Sequence, residues 1–362
     1  MFKKAITLLC ATFVSAENRS KRINRDHADV VNGKIYSYEE HRMLVDDYFE
    51  SGLSLMDYSP ERLDIFNDNL HKIIAHNMDS TKSFKMGISP YTAMTAKERK
   101  DYYNMDAVQL QADQACSATF ENTEFQPLFA DIDTPDAWDW RQHGGVSPVK
   151  DQGNCGSCWT FSTVGCLESA HLLKYGQLAT YSEQQLVDCA GAFENYGCNG
   201  GLPSQAFEYI YYNGGIESED SYPYTAVDGT CVSDSSKYAL DVQTGAYNIT
   251  AGDEEALKDA VYQQPVSVAF QVVDDFHDVG TGVYSSTMCG NTQSDVNHAV
   301  LAVGYGHSDE QDMDYWIIKN SWGTEWGDEG FFKIQRGVNM CGIAVCNSYP
   351  VGVEELSATF LQ

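Results

Sequence analysis

The chain has 362 residues, room for two or three domains, and 23 Lys+Arg against 52 Asp+Glu give a net charge of −29. A field of that sign repels a phosphate backbone, which excludes nucleic acid as a partner. Hydrophobic residues make up 43%, ordinary for a chain with a substantial core, and no apolar run reaches the roughly 18 residues that a membrane span needs.

Lys3 and Lys4 precede an apolar stretch, Ala5 to Val14, closed by Ser15 and Ala16. This is the pattern of a secretory signal peptide over residues 1–16. Eleven cysteines suit the oxidising route that such a signal opens. Cys10 leaves with the signal, so ten remain. The expectation is a soluble, acidic, exported protein that carries disulfides.

Composition shifts near residue 132. Residues 1–132 hold 15 basic and 20 acidic side chains and read helical, whereas residues 133–362 hold 8 and 32 and nearly all the cysteines and glycines. Ser59-Pro60 opens a predicted helix, with Leu63, Phe66, Leu70, Ile73 and Ile74 on one face. Residues 106–131 show little periodicity and read as a cleavable linker. Further on, a helix is expected from near Cys158 to a left-handed cap at Gly176, with Phe161, Val164, Gly165, Leu167 and Leu172 as core contacts. Val266–Val273, Ala299–Val303, Tyr315–Ile318 and Phe331–Ile334 are short strand-like runs. Helices first and strands later argue an α+β architecture.

Cys155-Gly156-Ser157-Cys158-Trp159 is the strongest chemical signal. A cysteine at a helix N-terminus feels the positive end of the dipole, and a nearby imidazolium lowers its pKa further. A Cys-x-x-Cys can also be a structural bridge half or a redox dithiol, but the small βαβ context of the redox motif is missing here. His298, in Val296-Asn297-His298-Ala299-Val300, follows Cys158 by 140 residues, and Asn320, in Lys319-Asn320-Ser321-Trp322-Gly323, follows it by 162. Together the three supply a nucleophile, a base and a group to orient the base.

On these motifs, with Gln152, the run Ser182–Cys189 and Gly197-Cys198-Asn199-Gly200-Gly201, residues 134–351 resemble the papain-like cysteine peptidases. The resemblance implies a two-lobed α+β fold, a helical lobe plus an antiparallel β-barrel-like lobe, behind an N-terminal helical inhibitory prodomain. It implies that Cys158 attacks the carbonyl, His298 moves the proton, Asn320 holds the imidazole and Trp322 shields that bond. Gln152 and the Cys158 N–H would form the oxyanion hole, and Gly200 and Gly201 would line up with substrate backbone. Residues 17–132 become a propeptide, with the inhibitor part at about 36–95, and 133–362 the peptidase domain. Arg62, Phe66, Asn69, Ile73 and Asn77 match the family's propeptide helix motif, with Tyr58 in place of its leading acid. A second propeptide motif survives only as Gly87, with Ser89, Tyr91 and Ala93 at its other positions, so its acid-sensing aspartate is absent.

Within the family the chain is similar to the cathepsin H branch. That branch keeps a short propeptide piece, disulfide-tied to the body, and Ala112–Thr119 ends in the matching Cys116-Ser117-Ala118-Thr119. Freed after Thr119, its carboxylate would pair with a substrate's ammonium and make the enzyme mainly an aminopeptidase. The alternative is a discarded linker and a plain endopeptidase. Resemblance pairs Cys155 with Cys198, Cys189 with Cys231, Cys289 with Cys341 and Cys116 with Cys346, which leaves Cys166 as a free core thiol. Asn248-Ile249-Thr250 is a glycosylation sequon. The acid clusters Asp253-Glu254-Glu255 and Asp309-Glu310 read as solvated surface, with no metal or cofactor expected. The implied partners are peptide and protein substrates, the chain's own propeptide and cystatin-type inhibitors, and the implied setting is a monomer in a lysosome or an equivalent acidic vacuole.

Overall fold

The computed structural model describes Val30 and residues 34–102, 133–242 and 245–356. Helix α1 (Tyr38–Glu50) starts at a capping box, Ser37 with Glu40. Helix α2 (Pro60–Met78) is the helix expected after Ser59, whose hydroxyl accepts the Arg62 N–H. Strand β1 (Phe84–Met86) and helix α3 (Ala96–Tyr102) complete the N-terminal region.

In the body, β2 (Trp138–Asp139) leads to α4 (Cys158–Tyr175), α5 (Glu183–Cys189), α6 (Pro203–Asn213), β3 (Ile216–Glu217), β4 (Tyr238–Val242) and β5 (Ala246–Asn248). There follow α7 (Glu254–Gln263), β6 (Val266–Phe270), β7 (Val279–Tyr284), β8 (His298–Ser308), β9 (Met313–Lys319), β10 (Phe331–Gln335), β11 (Ser348–Pro350) and β12 (Val353–Glu355). Nine strands form one sheet in the order β1-β7-β10-β9-β8-β6-β11-β5, with β2 on β8, while β12-β4-β3 form a smaller sheet. Pairing in the large sheet is antiparallel except between β7 and β10.

Two apolar cores result. Trp159, Leu167, Leu186, Phe207 and Ile210 fill the helical lobe. Val268, Phe270, Trp316, Ile318 and Phe332 fill the strand lobe, and that core runs on without a break into Phe66, Phe84 and Tyr91 of the N-terminal region. Helix α4 lies between the lobes, and its Ser162 hydroxyl donates to Val300 O at 2.6 Å. The α+β two-lobed fold with an N-terminal helical region is thus the one expected.

Several local expectations need correction. Phe161 and Leu172 on α4 are half-buried, and Phe161 instead sets its ring edge-on to Tyr224 at 4.9 Å. The run expected to end at Val273 stops as a strand at Phe270, because Asp274–Phe276 turns into a 3-10 helix. Glu254 is not merely solvated. It accepts the Trp316 indole N–H at 2.9 Å and the backbone N–H groups of Gly337 and Asn339 at 2.8 and 2.6 Å, while Asp253 caps α7.

The N-terminal region is knitted by buried amides. Asn69 donates to Thr92 O and Met94 O, both at 2.9 Å, and Asn77 donates to Val30 O and Met86 O, both at 2.8 Å. Asn69 thereby pins the segment carrying Tyr91 and Thr92 to α2. Replacing Asn69 by Ala strands two buried carbonyls, a loss of about 1–3 kcal/mol. Asn69→Ala is expected to lower the unfolding temperature of the N-terminal region in the full chain and to speed its limited proteolysis. Unchanged cleavage and melting would refute this account.

Candidate active site

Ser157 precedes α4 without a side-chain cap, so the first-turn N–H groups at Cys158 keep their positive field. The Ser157 hydroxyl is instead held by Tyr224 Oη at 2.6 Å, and the same Tyr224 hydroxyl donates to Gln152 O at 2.7 Å. Cys155 is bonded to Cys198, and Gly156 N donates to Cys198 O at 3.0 Å, which fastens the start of α4 to the 197–201 loop. The Cys158 sulfur accepts the Ala299 N–H at 3.4 Å, so it lies against the start of strand β8, whose first residue is His298.

His298 Nε2 and Asn320 Oδ1 are 2.8 Å apart, and Asn320 Oδ1 also accepts the Ser321 N–H. The indole of Trp322 tilts over the imidazole at 5.0 Å. Gln152 is fully buried and doubly fixed. Its N–H donates to Ser321 O at 2.9 Å, and its Oε1 accepts the Ser321 hydroxyl at 2.7 Å. That bond sets the amide so that Nε2 donates to Cys155 O at 2.9 Å. Cys158, His298, Asn320 and Gln152 are therefore brought together by α4, β8 and the loop after β9. Ser321 and Tyr224 are the site residues that sequence reasoning missed, and nothing local marks either one.

Cys158 and His298 are each only 2% exposed. Burial pushes the thiol up to about 11 and the imidazole down to about 4, with Asn320 opposing the second shift. In this covered state the neutral pair is favoured over thiolate and imidazolium.

A recess beside Cys158 and His298 is lined by Gly201, Ser204, Ala269 and Cys346. Gly201 has a packing duty as well, since a Cβ there would come within 2.4 Å of Asn195 Oδ1 and 2.7 Å of the Trp159 ring. Gly200 holds φ at 108°. Cys189–Cys231 and Cys289–Cys341 are bonded, and Cys166 is buried and free. Cys346 is disulfide-bonded to a partner outside the described residues, where Cys116 and Thr119 also lie. Asn248 is half-buried on β5, in register with Ser348. Among the described residues, no group of side chains could hold a metal ion and no helix could cross a membrane.

The N-terminal region docks beside this site. Strand β1 adds to β7 in antiparallel fashion, and the approach is so close that a Cβ at Gly282 would lie 2.6 Å from Ser83 O. Tyr91 sets its ring on Trp322 at 5.9 Å. Asp278 of the body accepts Arg99 Nη1 at 2.7 Å, Ser89 Oγ at 2.9 Å and Thr92 Oγ1 at 3.1 Å, and its backbone oxygen accepts Gly87 N.

A two-lobed α+β body carrying a Cys–His–Asn cluster at its seam, with a helical region docked beside that seam, defines a class. A model described as papain family cysteine protease matches residues 134–351. The chain belongs to the papain family of cysteine proteases. It is 52% identical over 297 residues to a pro-cathepsin H of Medicago truncatula, spanning 82% of this chain and 81% of that one. It is 51% identical over 292 residues to the pro-cathepsin H of Bos taurus, spanning 80% and 83%. The solved structure of digestive procathepsin L 3 from Tenebrio molitor larval midgut aligns at a TM-score of 0.75 and 35% identity, spanning 87% of this chain and all of that one. This is a precursor-form protease.

His277, stacked on Trp322 at 5.6 Å, adds a pH dependence. Burial, then the Arg99 cation, push its imidazole down to about 3, while Asp278 pulls the other way and His298 adds to the lowering. Unfolded imidazoles titrate near 6.5. Between about 6.5 and 4 the folded chain therefore binds fewer protons at His277 and His298 than an opened one, so the covered state loses stability as pH falls through that window. Local protection of β1 is the informative quantity, because other buried groups of the body also enter the global pH dependence. In the Cys158→Ala chain, β1 amide exchange, corrected for intrinsic rate, is expected to quicken from pH 6.5 to 4. His277→Phe, which keeps the stack, should blunt that rise; an identical pH course in both chains counts against it.

Proposed function

We propose that the protein is a zymogen of a lysosomal or vacuolar cysteine peptidase that works mainly as an aminopeptidase. Once the cleft opens to water, Cys158 passes its proton to His298, and the helix dipole favours the thiolate. The thiolate attacks the substrate carbonyl carbon. The developing oxyanion is met by the Cys158 N–H and by the Gln152 Nε2 hydrogen not held by Cys155 O. His298 returns its proton to the leaving amine, then takes one from the water that cleaves the thioester. Asn320 keeps the ring aimed throughout, and Trp322 keeps water from that hydrogen bond.

The observation that carries the aminopeptidase reading is Cys346, which lines the recess beside Cys158 and is disulfide-bonded. The cysteines outside the described residues are Cys10 and Cys116, and Cys10 belongs to the signal peptide. A segment tethered through Cys116 would occupy the recess and place the Thr119 carboxylate where a substrate's free ammonium arrives. The family relatives named pro-cathepsin H support the same reading. Asn248 is the proposed glycan site, and cystatin-type proteins the proposed inhibitors of the monomeric enzyme.

Acid-processed enzyme should hydrolyse an Arg-coumarylamide with a free α-amine far faster than its N-blocked counterpart, and Cys346→Ser should erase the difference. Faster cleavage of the blocked substrate by the wild type would instead establish an open-cleft endopeptidase. Gln152→Ala is expected to lower kcat by about 100–1,000-fold with little change in KM. An equal loss in a stability assay would show that the amide only packs.

A further inference from the structure

The Asp278 carboxylate is buried, 6% exposed, and each of its hydrogen-bond partners, Ser89, Thr92 and Arg99, belongs to the N-terminal region. The body offers it none among these bonds. When that region is removed, an acid stays behind on the body without its counter-ion, one residue from His277, whose ring stacks on Trp322. Its oxygens, already placed to accept a guanidinium, are then open to another cation, and a charge-assisted hydrogen bond is stronger than a neutral one.

We infer that Asp278 forms a cation-selective subsite for the part of the substrate that leaves with the amine. This rests on the peptidase reading above. The recess proposed for the acyl side is lined by Cys158, His298, Gly201 and Cys346, and from His298 a row of rings leads away, with Trp322 at 5.0 Å and His277 stacked on Trp322 in turn, next to Asp278. Residues following the scissile bond therefore run over Trp322 toward Asp278. Arg99 already shows the bound form, with its guanidinium 2.7 Å from the carboxylate and its Nε donating to Tyr91 O at 3.2 Å. A substrate arginine or lysine takes the same place. Asp278 is thus a specificity residue, occupied in the precursor by the chain's own Arg99.

The body's surplus of acid, 32 Asp+Glu against 8 Lys+Arg over residues 133–362, draws any cation to any position, so the test must separate a local pair from the general field. Acid-processed enzyme is given free-amine peptides in which one of the first three residues after the scissile bond is Arg, Gln or Glu. Active sites are counted by thiol titration, and kcat/KM is read by mass spectrometry. At one position Arg should exceed Gln by about tenfold or more, as expected for a charge-assisted bond. In Asp278→Asn that ratio should fall to about two or less, and in Asp278→Lys the order should turn toward Glu. A flat series in the wild type, or an arginine preference that survives Asp278→Asn, overturns the inference. Peptides left uncut at every position would sink the peptidase reading itself, an outcome distinct from cutting without preference.

Discussion

The seam between the two lobes is closed by charge. Lys150 sits between Glu168 at 2.6 Å and Glu183 at 2.7 Å, and both carboxylates are almost wholly buried. Ser147 donates to Glu168 at 2.5 Å and accepts from Lys319 at 2.9 Å. Two cations and two acids thus meet across the base of α4 and the end of β9. Burial alone would lower the Lys150 pKa, yet Glu183 and Glu168 hold it above its usual value, while Lys319, with no carboxylate in direct contact, is pushed down to about 8. Such a cluster is an indifferent source of stability, because desolvation offsets much of the attraction, but removing one member costs about 3–5 kcal/mol. Its consequence here is positional. Lys319 immediately precedes Asn320, so the same bonds that close the seam fix the group that aims His298, while Glu168 rides on the helix that carries Cys158.

The precursor uses this fixed seam as a docking surface. A backbone strand can lie against β7 because Gly282 has no side chain, and an aromatic ring can lie on Trp322 because that indole already covers the His298–Asn320 bond. Desolvation then does chemical work. Burial raises the Cys158 thiol and lowers the His298 imidazole, each toward its neutral form.

Much of this was legible in the sequence where the signal is local. Ser59-Pro60 and the apolar spacing that follows mark α2, and Gly176, with φ at 70°, ends α4 where a left-handed cap was expected. Helix α1 has an equally local signal in its capping box, Ser37 with Glu40, and buries Leu44, Val45 and Tyr48. Strand β1 has three residues, too few for a periodicity, and exists only because β7 offers an edge. Charge partners were the least legible. Lys150 and Glu183 are separated by 33 residues and Arg99 and Asp278 by 179, so neither pairing leaves a local signal in the sequence. Glu254, which read as solvated surface, accepts from a tryptophan 62 residues away.

The missing acid of the second propeptide motif shows how such partners can be exchanged. At that position Ala93 offers no side-chain acceptor; its carbonyl accepts Arg62 Nη1 at 3.3 Å, and the guanidinium finds its charge partner in Glu98 through two bonds of 2.7 Å. Arg62, and then Thr95, hold the Glu98 carboxyl down at about 2. A carboxylate of that kind stays ionised throughout mild acid, so the Arg62–Glu98 pair does not open there. Whatever acid loosens must titrate between neutrality and about pH 4. On this docking face burial lowers three imidazoles, His277 and His298 on the body and His76, which packs on Phe84 of β1.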